Sequence, residues 1–170
     1  MSIQNIVLIG MPGSGKSVLG KLLSSRLGKV FVDTDALVEA AAGLSIAAIF
    51  AEHGEAEFRR LESLQVQHCS ERQGLVIATG GGIVLDPGNV TLLKKHGRLY
   101  YLQRELNLLA RQGRPLSCSA AALMELFERR APLYLKAADC LVDNNADIET
   151  ALQQIMDDYR ENTADQWPQS

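Results

Sequence analysis

Residues Gly10-Met11-Pro12-Gly13-Ser14-Gly15-Lys16-Ser17 spell G-x-x-x-x-G-K-[ST], and no other part of the 170-residue chain constrains its fold as tightly. The octet follows a short apolar run, Ile6–Ile9, and opens a stretch of helical period, Lys16–Leu27, that stops at Gly28. That context matters. Glycines let backbone N–H groups turn inward around phosphate oxygens, and the N-terminus of the following helix adds its dipole. In such a loop Gly13, Ser14 and Gly15 present N–H groups, Lys16 reaches the β- and γ-phosphates, and the Ser17 hydroxyl ligates Mg²⁺. The motif therefore predicts a nucleoside triphosphate site with one Mg²⁺ ion. It does not say what receives the phosphate.

Four further apolar runs of strand length follow: Val30–Val32, Leu75–Ala78, Leu99–Leu102 and Cys140–Val142. None alternates with polar residues, as expected of strands covered on both faces. Helical stretches lie between them. Gly54–Arg72 is one. Another opens at Asp86-Pro87, an N-cap followed by proline at the first helical position. Ser119–Leu135 and Ile148–Tyr159 complete the set. Strand–helix alternation implies right-handed βαβ units, hence an α/β fold of three layers, α/β/α, around a five-stranded parallel sheet. A single domain is expected over 1–160, with 33–62 binding the acceptor and 111–120 forming a lid. The polar stretch 161–170 is expected to be a disordered tail.

Charge and cysteine usage narrow the partners. Seventeen basic against twenty acidic side chains leave a net charge of −3, which gives no electrostatic footprint for nucleic acid. An anionic substrate would then need locally placed cations, so each arginine position becomes informative. Cys69, Cys118 and Cys140 are odd in number and widely spaced, which fits a reducing cytoplasm better than a disulfide framework. The N-terminus does not read as a signal peptide and no run approaches a membrane span, so no membrane partner is expected.

The strand ends supply the candidates for the acceptor side. Ligands of doubly wound sheets bind outside the carboxyl ends of strands. Asp33-Thr34-Asp35 stands at one such end. In an extended chain both carboxylates would face the same cleft, although Asp35 also reads as the N-cap of a helix starting at Ala36. Gly80-Gly81-Gly82 stands at another end, where backbone amides can approach a ligand closely. On the helix after Gly54, Arg59 and Arg60 point about 100° apart, and Glu62 is placed one turn on to hold Arg59. Arg111-Gln112-Gly113-Arg114-Pro115-Leu116 reads as a loop whose arginine can close over a triphosphate. No Asn-Lys pair exists for the N-K-x-D guanine motif, which argues against a switch GTPase.

Taken together, these motifs resemble the shikimate kinase family from Asn5 to about Met156. They are Gly10–Ser17, D-T-D at Asp33–Asp35, G-E-x-E-F-R-R at Gly54–Arg60, T-G-G-G at Thr79–Gly82, R-P-L at Arg114–Leu116 and R-A-P-L-Y at Arg130–Tyr134. The resemblance implies a nucleoside monophosphate kinase-like fold. It also implies transfer of the ATP γ-phosphoryl group to the 3-hydroxyl of shikimate by a cytoplasmic monomer. By the same resemblance Asp35 binds the substrate hydroxyls, Arg59 and Arg130 clamp its carboxylate, and Gly80, Gly81 and Gly82 border it, Gly81 through its N–H. Arg114 is the lid arginine on ATP, Arg111 lies near the adenine, and Asp33 acts near Mg²⁺ and the attacking hydroxyl. Lys16, Asp33 and Arg114 form the implied catalytic set.

Two departures stand out. Val18, in the ATP-binding stretch, occupies a position where the family more often has threonine. The segment from Arg111 to Arg114 is shorter than in many members. A kinase of another small metabolite, such as gluconate or AMP, is the competing reading. A nucleotide-binding protein without catalysis would be expected to lack Lys16, Asp33 or Arg114, and all three are present.

Overall fold

The computed structural model describes residues 4–109 and 119–163. Strands β1 (Asn5–Ile9), β2 (Val30–Asp33), β3 (Leu75–Ala78), β4 (Gly97–Gln103) and β5 (Cys140–Asp143) form one parallel sheet in the order β2-β3-β1-β4-β5. All five expected strands are present. β1 lies at the centre, and Ile6, Val7, Leu8 and Ile9 are fully buried.

Alternation along β1 explains the layers. Val7 and Ile9 join a core with Val66, Leu93, Leu123 and Tyr134, contributed by α3 (Ile46–Ser70), α4 (Pro87–Lys94) and α5 (Ala120–Ala137). Ile6 and Leu8 face the opposite way, toward Leu19 and Leu23 of α1 (Lys16–Leu27) and Leu152 and Ile155 of α6 (Ile148–Thr163). Successive strand residues point to opposite faces, so one apolar run supplies both cores. The three-layer α/β/α arrangement follows directly. A smaller apolar cluster of Val38, Ile49 and Phe58 ties α2 (Thr34–Ala42) to α3 beside the sheet.

Three boundaries differ from the sequence reading. A helix begins at Thr34 instead of Ala36, and its N-cap is Asp33: the Asp33 carboxylate accepts from the N–H groups of Asp35 and Ala36. α3 starts at Ile46, eight residues before Gly54. Gly54 interrupts it with φ 81° and ψ 175°, a conformation only glycine adopts readily. The two helical pieces on either side therefore meet at an angle. α6 runs on through Thr163, which is buried and donates its hydroxyl to the Tyr159 carbonyl, so ordered structure extends past residue 160. Asp86 caps its helix as the sequence predicts, and Ser119, expected as the first residue of the next helix, is the N-cap of α5.

Candidate active site

The carboxyl ends of β1, β2 and β3 open onto one crevice. On its nucleotide side the loop from Gly10 to Gly15 leads into α1. Gly15 is the N-cap, in a left-handed conformation with φ 95°, and a Cβ there would stand 2.8 Å from Asn144 Nδ2. α1 has no side-chain cap and no acidic residue in its first turn. Its leading N–H groups are therefore left to a ligand, the arrangement that suits phosphate. Lys16 is 6% exposed, and its ammonium donates to the carbonyls of Gly10 and Met11 at 2.8 Å each. Val18, the third residue of α1, is 59% exposed.

Ser17 and Asp33 meet here. The Ser17 hydroxyl donates to Asp33 Oδ2 at 2.7 Å, while Asp33 Oδ1 takes the α2 N–H groups. These are two hard oxygen donors from a helix start and a strand end, a set that fits Mg²⁺ completed by phosphate oxygens and water. No group of three or more His, Cys, Asp or Glu side chains suited to a metal occurs among the described residues.

A second cluster is built around the three glycines after β3. Gly80 N–H donates to the buried Thr34 hydroxyl at 3.0 Å, and a Cβ on Gly80 would lie 2.5 Å from Asp35 Oδ1 and 3.0 Å from Glu62 Oε1. A Cβ on Gly81 would lie 2.8 Å from Pro12 Cδ and 3.2 Å from Arg130 Nη1. The Gly81 carbonyl accepts from the Tyr134 hydroxyl. Gly82 lies against the Arg59 guanidinium. Asp35, Arg59 and Arg130 thus converge on three consecutive residues, and Pro12 joins them to the phosphate loop. Asp33 and Asp35 do not share a face as an extended chain would place them. The helix starts between them, so Asp33 turns to Ser17 and Asp35 to the glycines.

Charge is concentrated and largely removed from water. Glu62 is 1% exposed and Arg130 is 6% exposed. Arg59 Nη1 donates to Glu62 Oε2 at 2.7 Å, the pairing expected from their spacing. Burial pushes the Glu62 carboxyl up, opposed by Arg59, and nearby Asp35 adds to the rise. Burial also lowers the Arg130 pKa, and the Arg59 charge lowers it further. Arg59 is held by Glu62 and, at 3.3 Å, by Glu55, whereas among the described residues no carboxylate forms an ion pair with the buried Arg130, a desolvated guanidinium that gains from an added anion. Arg59 Nε and Glu62 Oε1 are buried without a hydrogen-bond partner, as polar groups facing a hydroxylated ligand would be. Arg60 is outside this arrangement: it pairs with Glu57 at the surface.

Arg111 and Arg114 fall outside the described residues. Residues that the sequence reading did not place in the site are Thr34, Tyr134, Pro12 and Asn144. Thr34 and Tyr134 lie inside the D-T-D and R-A-P-L-Y motifs, which is the signal that would have found them.

A family model described as shikimate kinase matches residues 12–160. A shikimate kinase of Nitrosomonas europaea is 39% identical over 173 residues, covering 94% of this chain and 82% of the relative. One of Caldanaerobacter subterraneus is also 39% identical, over 166 residues, covering 92% of this chain and 96% of the relative. The solved structure of shikimate kinase from Acinetobacter baumannii in complex with shikimate superposes with a TM-score of 0.88 at 31% identity, covering 94% of both chains. A gluconokinase from Sinorhizobium meliloti superposes with a TM-score of 0.62 at 14% identity, covering 96% of this chain and 95% of that one, which is a likeness of fold alone.

Proposed function

The chain belongs to the shikimate kinase family and is an ATP-dependent kinase that phosphorylates the 3-hydroxyl of shikimate, and from that premise we propose how its own side chains divide the work. The observation that carries the assignment is the convergence of Arg59, Arg130 and Asp35 on Gly80–Gly82. Arg59 and Arg130 bind the shikimate carboxylate, a group suited to paired guanidinium recognition. Asp35 accepts hydrogen bonds from the ring hydroxyls. The glycines let the ring lie against backbone, with the Gly81 N–H as donor. Glu62 holds Arg59 in place, and Tyr134 fixes the Gly81 carbonyl.

On the nucleotide side, the N–H groups of Gly13, Ser14, Gly15 and the start of α1 surround the phosphates, and Lys16 carries charge to the β- and γ-phosphates. Ser17, with Asp33 through water, would hold one Mg²⁺ ion, which would supply neutralisation of phosphate charge. The R-P-L motif supports Arg114 as the lid arginine and, with it, Arg111 near the adenine. Phosphoryl transfer leaves little covalent work to the protein, so positioning and charge stabilisation account for most of the catalysis. The attacking hydroxyl forms its bond to the γ-phosphorus and gives up its proton as the bond to the β-phosphate oxygen breaks, leaving ADP, shikimate 3-phosphate and H⁺. The proposal also has the enzyme work as a monomer in the cytoplasm, which rests on the family resemblance and the cysteine pattern. Among the described residues no single helix is long and apolar enough to cross a membrane.

A coupled assay of ADP release against shikimate, gluconate and AMP tests the acceptor. Turnover with shikimate is expected. Turnover with gluconate or AMP and none with shikimate would overturn the reading. Arg59→Ala is expected to raise the shikimate KM well above its effect on the ATP KM, and an unchanged shikimate KM would remove Arg59 from the acceptor site.

A further inference from the structure

The segment after β4 places a cation beside the phosphate loop. Arg104 follows Gln103, and its guanidinium Nη1 stands 3.6 Å from where a Cβ on Gly15 would be. A rigid frame sets this position. Asn144 N–H donates to the Gln103 carbonyl at 2.9 Å, and Glu105 N–H donates to Asn145 Oδ1 at 2.7 Å. Asn144 Nδ2 donates to the Ser14 carbonyl at 2.8 Å. The ends of β4 and β5 are thereby pinned to each other and to the loop, with Arg104 on the side facing Gly15.

Two features set this arginine apart from a structural one. Its Nε is buried and has no hydrogen-bond partner, and among the described residues no carboxylate pairs with it. Arg98, six residues earlier, is by contrast saturated by Asp158 at 2.6 and 2.9 Å. Buried donors are ordinarily satisfied, so the unpartnered Nε, on a half-buried guanidinium with no ion pair among the described residues, points to a ligand. The second feature is electrostatic. Gly15 is the N-cap of α1, the positive end of that helix, where a cation is unfavourable unless an anion lies between.

We propose that Arg104 is a further nucleotide-binding residue, which sets its charge beside Gly15 and binds the polyphosphate of ATP. That ATP is the ligand rests on the kinase reading above.

The test compares Arg104→Gln and Arg104→Lys with the unaltered protein by calorimetric titration of ATP, ADP and adenosine without acceptor, alongside shikimate turnover. Arg104→Gln is expected to weaken ATP and ADP about tenfold, the lower end of what one charge-assisted hydrogen bond supplies, and to leave adenosine within twofold. Arg104→Lys is expected to recover most of that loss, because it restores the charge. ATP affinity unchanged in Arg104→Gln would overturn the proposal. Equal weakening of adenosine would overturn the phosphate assignment, and equal defects in both variants with a lowered Tm would reduce Arg104 to packing. If the unaltered protein failed to phosphorylate shikimate while Arg104→Gln still weakened ATP, the acceptor reading would fall and Arg104 would stand. Shikimate turnover combined with normal ATP binding by Arg104→Gln would remove Arg104 from the nucleotide site and leave the acceptor reading intact.

Discussion

Gly82→Ala isolates the acceptor clamp, because the backbone at residue 82 tolerates a side chain and the space above it does not. Gly82 has φ −92° and ψ 3°, which alanine adopts without strain. The new methyl would stand 2.7 Å from the Arg59 Cζ, with both terminal nitrogens closer still, and ordinary contact begins at 3.4 Å. Relieving the Cζ contact alone takes a retreat of about 0.7 Å, and the closer terminal nitrogens require more. Arg59 is tied to Glu62 at 2.7 Å, so the retreat stretches that bond and moves the face presented to a carboxylate. Losing one hydrogen bond to a charged group costs about 1.5–3 kcal/mol, or roughly a 10- to 100-fold rise in the shikimate KM. Initial rates of ADP release at saturating ATP measure the KM, and thermal unfolding checks that the fold is intact. The same substitution made in an Arg59→Ala background should add almost nothing, since its target is gone. A shikimate KM within twofold of the unaltered enzyme, or full additivity in the double variant, would refute the reasoning.

Two more outcomes follow from the charged groups. Lys16→Ala removes the ammonium proposed to reach the transferring phosphate and is expected to cut kcat by about 10³-fold, read in the same assay with a Tm control for the lost bonds to Gly10 and Met11. Asp158 joins α6 to β4 through Arg98 and Tyr100. Its burial opposes the charge, but the hydrogen bonds from Arg98 and Tyr100 outweigh burial and hold its carboxyl below the usual range. A depressed carboxyl stabilises the fold above its unfolded pKa, and the benefit is lost as pH falls through the folded one. Asp158→Asn should thus cost about 1–3 kcal/mol near neutral pH, a deficit that shrinks below about pH 4; urea unfolding across a pH series reads it, and a deficit independent of pH would contradict the pairing.

Much of this was legible in the chain because continuous apolar runs such as Ile6–Ile9 and Leu75–Ala78 have one good use, a strand covered on both faces. The Arg59–Glu62 pairing was legible because helical spacing fixes it. The roles of Asp33 and Asp35 were not. Both are good helix caps two residues apart, and which one starts the helix shows only in the structure, where the Asp33 carboxylate accepts from the N–H groups of Asp35 and Ala36. The first part of α3 escaped for a similar reason: Gly54 reads as a beginning, whereas it is a bend within a longer helical stretch. Thr34, Asn144 and Arg104 gain their meaning from partners 46, 130 and about ninety residues away, and no local pattern encodes such distances.

The central place of β1 has a consequence for how the chain is made. β1 is synthesised before both of its partners, β3 and β4, which come much later in the chain. At about 5–20 residues per second, the roughly ninety residues from Ile9 to Gln103 take on the order of 5–20 s to synthesise. β3 follows Ile9 by roughly 70 residues and β4 by roughly ninety, so for that time Ile6–Ile9 lacks at least one neighbour, and the phosphate loop behind it has no Asn144 to brace it. Nascent chains should therefore become competent for nucleotide late and all at once, and the interval before that is when the N-terminal strand most needs shielding from other chains.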